Sequence, residues 1–199
     1  MTIPHFFNMN TDYLSGAKKQ FAYYKQLGDK TFEQLTNTEA FFWQYNEESN
    51  SIAIIVKHLW GNMLSRWTDI FTTDGEKENR FRDSEFENDV QTKEQVIERW
   101  NAGWQCFFDT LNTLTPEDLD KIIYIRNEGH TVLDAINRQL AHYPYHVGQI
   151  VFIGKMLQNQ QWQSLSIPRN KSNEYNQEKF AKSKTQTHFT DEFLNSNEK

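Results

Sequence analysis

The chain has 199 residues, enough for one domain with a substantial core, and 15% of them are aromatic. Only 8 Gly and 4 Pro punctuate it, which favours helices over a many-turned β fold. A net charge of −6 argues against a nucleic-acid partner, and the single cysteine, Cys106, excludes an intrachain disulfide and suits a reducing compartment.

The opening stretch MTIPHFFNMN has neither the basic nor the apolar region of a secretory signal. No apolar run approaches the roughly 18 residues a membrane span needs. The expectation is a cytoplasmic protein with no membrane partner.

Residues 11–36 predict a first helix, with Leu14, Ala17, Phe21 and Tyr24 at steps of three and four. Asn10 or Thr11 is its expected cap, and Gly28 its expected break. A polar, aromatic connection follows over 38–50. A second helix is predicted from about 50 to 71, capped by Asn50 or Ser51, with one wide apolar stripe. The charged run TTDGEKENRFRDSEFEND reads as a surface loop. Its paired signs leave open that it rims a pocket or orders a dimer contact.

A third helix is predicted over 92–114, where Thr92 and Gln95 have capping-box spacing. Val96, Trp100, Trp104 and Leu111 mark its buried face, and Cys106 reads as a small core residue. TPEDL is one helical turn with proline first. KIIYIRNEGH reads as a short extended arm crossing the helices. Thr131 caps a fourth helix to about residue 158 that carries Pro144 in its interior. Four such segments predict an all-α fold, a four-helix bundle with long connections, over residues 1–168. Residues 169–199 are polar and are expected to be a weakly ordered tail, docking by one or two aromatics.

Histidines stand at 5, 58, 130, 142, 146 and 188. His142 and His146, four apart on a helix, point the same way with Cβ atoms about 5–6 Å apart. His58 lies inside the apolar stripe of the second helix. The bland reading is a set of hydrogen-bonded core histidines. The sharper one is that the three converge on a divalent ion, because three uncoordinated imidazoles in a core each need a partner. Three neutral nitrogens suit zinc, nickel, iron or cobalt, and three protein ligands leave a position open for water or substrate. Both readings stand at this point. Asn62, one turn after His58, and Gln149, three residues after His146, could reach such an ion's water or a substrate. Arg126 could clamp a substrate carboxylate or form a structural salt bridge. His5 and His130 have no evident partner. Trp60, Trp67, Trp100 and Trp104 read as core.

SIAIIVKHLWGNM and LAHYPYHVGQIVFIGK together resemble the DinB/YfiT-like superfamily of metal-dependent enzymes. DGEKENRFRDSEF, IRNEGHTVLDAI and WQSLSIPRNKSNEYN are similar to an uncharacterised branch of it, and the likeness spans roughly residues 10–176. The resemblance implies a four-helix bundle, often a homodimer. It implies a divalent ion held by one histidine of the second helix and an H-x-x-x-H of the fourth, here His58, His142 and His146. It also implies a small-molecule substrate, since relatives include thiol S-transferases using bacillithiol or mycothiol and a mycothiol-dependent isomerase; others lack metal. Two functions are therefore expected. One is a metal-dependent enzyme activating a thiol or water, a transferase or a hydrolase. The other is a non-catalytic metal-binding or stress-related dimeric helical bundle.

Overall fold

A computed structural model describes residues 9–87 and 89–194. Four long helices dominate: α1 (Met9–Gln34), α2 (Ile52–Trp67), α3 (Lys93–Thr113) and α4 (Val132–Gln158). A two-stranded antiparallel sheet, β1 (Ile122–Ile125) and β2 (Glu128–Thr131), leads into α4, and two short helices, α5 (Ser172–Phe180) and α6 (Asp191–Leu194), follow it. Helix α2 packs on α3 and α1 on α4, while α2 also meets α4 and α1 meets α3.

The helix starts are set by side-chain oxygens that satisfy otherwise unpaired N–H groups. Ser51 Oγ accepts from Ile54 N, Thr131 Oγ1 from Asp134 N, and Thr92 forms a full capping box with Gln95. The expected cap of α1 is corrected: Met9 and Asn10 are already helical, so Asn10 and Thr11 lie inside the helix. The expected break at Gly28 is also corrected. The helix passes straight through, and the glycine serves close packing instead, since a Cβ there would stand 2.4 Å from Trp100 Cζ2.

The core is aromatic, as the composition led one to expect. Phe21, Trp67, Trp100, Trp104, Phe107 and Tyr143 are all fully buried. Each such side chain contributes about 1.5–3 kcal/mol by leaving water. Phe21 and Phe107 meet edge to face with centroids 4.5 Å apart, and Tyr143 stands edge-on to Phe107 at 5.2 Å. Tyr143 anchors the inner face of α4. Its hydroxyl accepts from Trp67 Nε1 (3.0 Å) and donates to Asn62 Oδ1 (3.1 Å).

KIIYIRNEGH is a hairpin rather than a single arm. Arg126 and Asn127 both adopt positive φ, 57° and 61°, which gives the two-residue turn whose twist matches paired strands. Asp74 stabilises that turn by accepting the N–H groups of Arg126 and Asn127, each at 2.8 Å. Gly75 N donates to Tyr124 O at 2.8 Å, so the loop after α2 is stitched to the hairpin.

That loop was expected to lie on the surface, but its Glu85 turns inward and is buried. Lys57 Nζ reaches up from α2, donating to Ser84 O and Glu87 O and pairing with Asp89. In the tail, Phe189 and Phe193 pack on Tyr23 of α1, and Lys19 pairs with Asp191 at 2.7 Å. No helix among the described residues is long and apolar enough to cross a membrane.

Candidate metal centre

Two helical stripes face each other across one end of the α2–α4 contact. Helix α2 presents His58, Asn62 and Arg66, and α4 presents Arg138, His142 and His146, each set at four-residue steps. Steps of four keep side chains on one face of a helix. The charged loop adds Arg80, Arg82 and Phe86, and the hairpin turn adds Arg126. Together with Gln139 they line a cavity of about 510 Å³.

His58, His142 and His146 come together at its floor, with one ring nitrogen of each lying within 4.8 Å of the others. His58 Nε2 is 3.3 Å from His142 Nε2, and His146 Nε2 is 3.1 Å from the same atom. Metal–nitrogen bonds of about 2.0–2.1 Å in a tetrahedral set put neighbouring nitrogens about 3.3 Å apart, which two of the three separations match.

The far side of each ring tells which nitrogen faces inward. His58 Nδ1 donates to Glu85 Oε2 at 2.9 Å, and His142 Nδ1 donates to Gln139 Oε1 at 3.2 Å. Those protons leave the Nε2 lone pairs of both rings directed at each other. One proton between two rings would satisfy one pair only, whereas a cation satisfies all three. The donor set and its outer hydrogen bonds therefore fit a divalent ion. His146 Nδ1 is buried without a partner among the described residues.

Burial, then the neighbouring charges of His58 and Arg138, pushes the His142 imidazole down to about 4. Burial, then His142 and His58, pushes His146 down to about 3. Both rings are thus held neutral, the form in which imidazole binds metal. Burial alone would raise the Glu85 carboxyl, but hydrogen bonds from His58 and Arg80 outweigh it and hold the group below the usual range. Arg80 grips that carboxylate in a fork, Nε to Oε1 at 2.7 Å and Nη2 to Oε2 at 3.0 Å. Gly61 makes room for it: a Cβ there would lie 2.4 Å from Glu85 Oε1. Phe86 stacks on the His58 ring, centroids 5.4 Å apart.

Of the other residues singled out in the sequence, Asn62 lines the cavity while accepting the Tyr143 hydroxyl. Arg126 lines its mouth and pairs with Glu76 at 3.3 Å. Gln149 is not among the lining residues. It lies one turn beyond His146, whereas the cavity extends the other way, toward Arg138. His130 stays in β2, and His5 lies outside the described residues. Sequence reasoning missed Glu85, Arg80, Gln139, Arg66 and Arg138 as members of the site. The four-residue steps 58–62–66 and 138–142–146 were the available signal for the last two.

Residues 8–171 match the family described as "Protein of unknown function (DUF1572)". The chain belongs to that family. No curated protein and no solved structure matches it. The match to DUF1572 takes in all three histidines, the charged loop and the hairpin, and ends just before α5.

Proposed function

We propose that this DUF1572 chain is a divalent-metal-dependent enzyme whose ion is held by His58, His142 and His146. The observation that carries the reading is the convergence of the three Nε2 atoms, at 3.1 and 3.3 Å, with two of the opposite nitrogens already occupied by Glu85 and Gln139. The four long helices and their order support a DinB/YfiT-like four-helix bundle, with the ion at one end.

Catalysis is favoured over a structural role because the histidines floor a cavity instead of being sealed within the core. A three-ligand site with an open position is the pattern of catalytic ions. A bound zinc, nickel or iron ion would supply Lewis acidity, lowering the pKa of a thiol or water held against it. Glu85, through His58, would orient one ligand ring and raise its basicity. Transfer of a low-molecular-weight thiol to an electrophile is the first reaction class, and hydrolysis the second. Acting in the cytoplasm on a small molecule, it would need neither nucleic acid nor membrane.

One observation favours a second reading, a non-catalytic, stress-related homodimer. Tyr145, Phe152 and Met156 stand exposed along α4, with Gly148 between them, where an added Cβ would meet open space. An exposed apolar stripe with a small residue at its centre suits a second copy of the helix.

The test is the metal content of the purified chain beside a His58→Ala/His142→Ala variant, followed by assays of thiol transfer and ester hydrolysis. About one ion per chain, lost in the variant together with a measurable turnover, supports the enzyme. Metal without turnover, in a protein that is dimeric by light scattering, supports the second reading. No metal in either protein after reconstitution overturns the enzyme reading, and a strictly monomeric protein overturns the second.

A further inference from the structure

The cavity above the histidines has a charge that the rest of the chain does not share. The protein carries a net −6, yet five guanidinium groups, those of Arg66, Arg80, Arg82, Arg126 and Arg138, line this one space. Two carboxylates stand against them. Glu85 is gripped by Arg80 and His58, and Glu76 Oε2 is shared among Arg66, Arg80 and Arg126. Arg82 and Arg138 have no carboxylate partner among the described residues; Arg82 lies over the Phe86 ring at 5.6 Å.

Like charges gathered in this way repel one another, and a fold gains nothing from leaving two of them unpaired at a cavity wall. The arrangement makes sense if the missing negative charge arrives with a ligand. Phe86 is the one hydrophobic side chain among the lining residues, so the recognition is polar rather than aromatic. The planar fork of each guanidinium suits carboxylate or phosphate oxygens. Arg82 comes from the loop, Arg126 from the hairpin turn and Arg138 from α4, so the cations approach from three sides.

We propose that this cavity binds a small molecule bearing at least two anionic groups, seated on Arg82, Arg126 and Arg138 with its reactive end toward the three histidines. The orientation rests on the metal reading given above; the anion site itself does not. The ligand class follows from charge count: five arginines against two glutamates leave room for two or three negative charges before any ion is bound.

Calorimetric titration of the full chain, metal-free and zinc-loaded, tests this with three probes: succinate, its monoamide succinamate, and inorganic phosphate. Succinate is expected to bind the metal-free chain about tenfold more tightly than succinamate, the scale of one charge-assisted hydrogen bond. Arg82→Gln/Arg138→Gln, two exposed positions whose variant should keep the wild-type circular dichroism, should abolish that preference. Tighter binding of phosphate than of succinate, lost in the same variant, overturns the two-group ligand and assigns the arginines to a single phosphate group. Equal affinity for succinate and succinamate, with no phosphate binding, overturns the proposal, as does a preference that survives the double substitution. Anion binding without any effect of zinc retains the arginine site and removes only the orientation toward the histidines, so the two readings fail separately.

Discussion

Glu85 Oε2 accepts the Nδ1 proton of His58 at 2.9 Å, and this contact joins residues 27 positions apart. It fixes the tautomer of His58 and so the direction of its Nε2 lone pair. Glu85→Gln keeps the shape but loses the negative charge and one of the acceptor oxygens. Zinc affinity is expected to fall about 10–100-fold, the usual cost of removing such a partner, with the fold retained. Competition titration against a chromophoric chelator measures it, and an affinity equal to wild type would show that Glu85 serves only to hold Arg80.

Gly28 packs its bare Cα face against the Trp100 ring. Gly28→Ala would normally stabilise a helix by up to about 1 kcal/mol. Here the new methyl collides with Trp100 Cζ2 at 2.4 Å, inside a core where Trp100 is fully buried. Overpacking of that kind costs about 1–3 kcal/mol, so the substitution should destabilise on balance. Urea denaturation reads the sign directly; a rise in the midpoint would show that α1 can shift away from α3.

How far the sequence carried these conclusions varies by residue. The caps at Ser51, Thr92 and Thr131 are local chemistry and were legible. So was the gathering of His58, His142 and His146, because two share a helix face and the third interrupts an apolar stripe. Glu85 and Arg80 were not, since nothing within a charged loop says which of its carboxylates turns inward. That choice is made by Gly61, which leaves space on α2, and by Lys57, which holds the loop down. Gly28 misled because a glycine kept for a neighbour's ring looks the same in sequence as one kept for a turn. The hairpin was missed because its turn residues, Arg126 and Asn127, lack the glycine that usually marks one.

Asp89 ties the end of that loop to both neighbouring helices, pairing with Arg99 at 2.9 Å and Lys57 at 3.1 Å. Hydrogen bonds from Arg99, then from Lys57, hold its carboxyl at about 2. A carboxyl depressed in the fold contributes stability above its unfolded pKa of about 3.9, and that contribution fades as pH falls through the folded value. Asp89→Asn should therefore cost stability at pH 7 and converge with wild type as pH drops from about 4 to 2. Because half of the side chain is exposed, the cost at pH 7 is expected to be below about 1 kcal/mol. Parallel urea titrations across that pH range check it. A gap between the two proteins that stays constant to pH 2 would mean that the ion pairs contribute nothing.

Pro144 sits between His142 and His146, and α4 runs through it without interruption. Lacking an N–H, it cannot bond the carbonyl of Leu140, and such a residue in a helix interior costs about 3 kcal/mol. A local loss of that size between two candidate ligands calls for a compensating use. A backbone relaxed at that turn would help two rings four residues apart to hold their Nε2 atoms at 3.1 Å while both reach toward His58. Pro144→Ala restores the hydrogen bond, so the thermal midpoint should hold or rise. If the relaxed turn sets the ring positions, zinc affinity should fall, by about tenfold for a misplacement worth ~1.4 kcal/mol. Measuring the midpoint and the affinity on the same preparations separates the outcomes. A more stable protein with weaker zinc binding assigns Pro144 to the site, whereas unchanged affinity makes it a tolerated irregularity of α4.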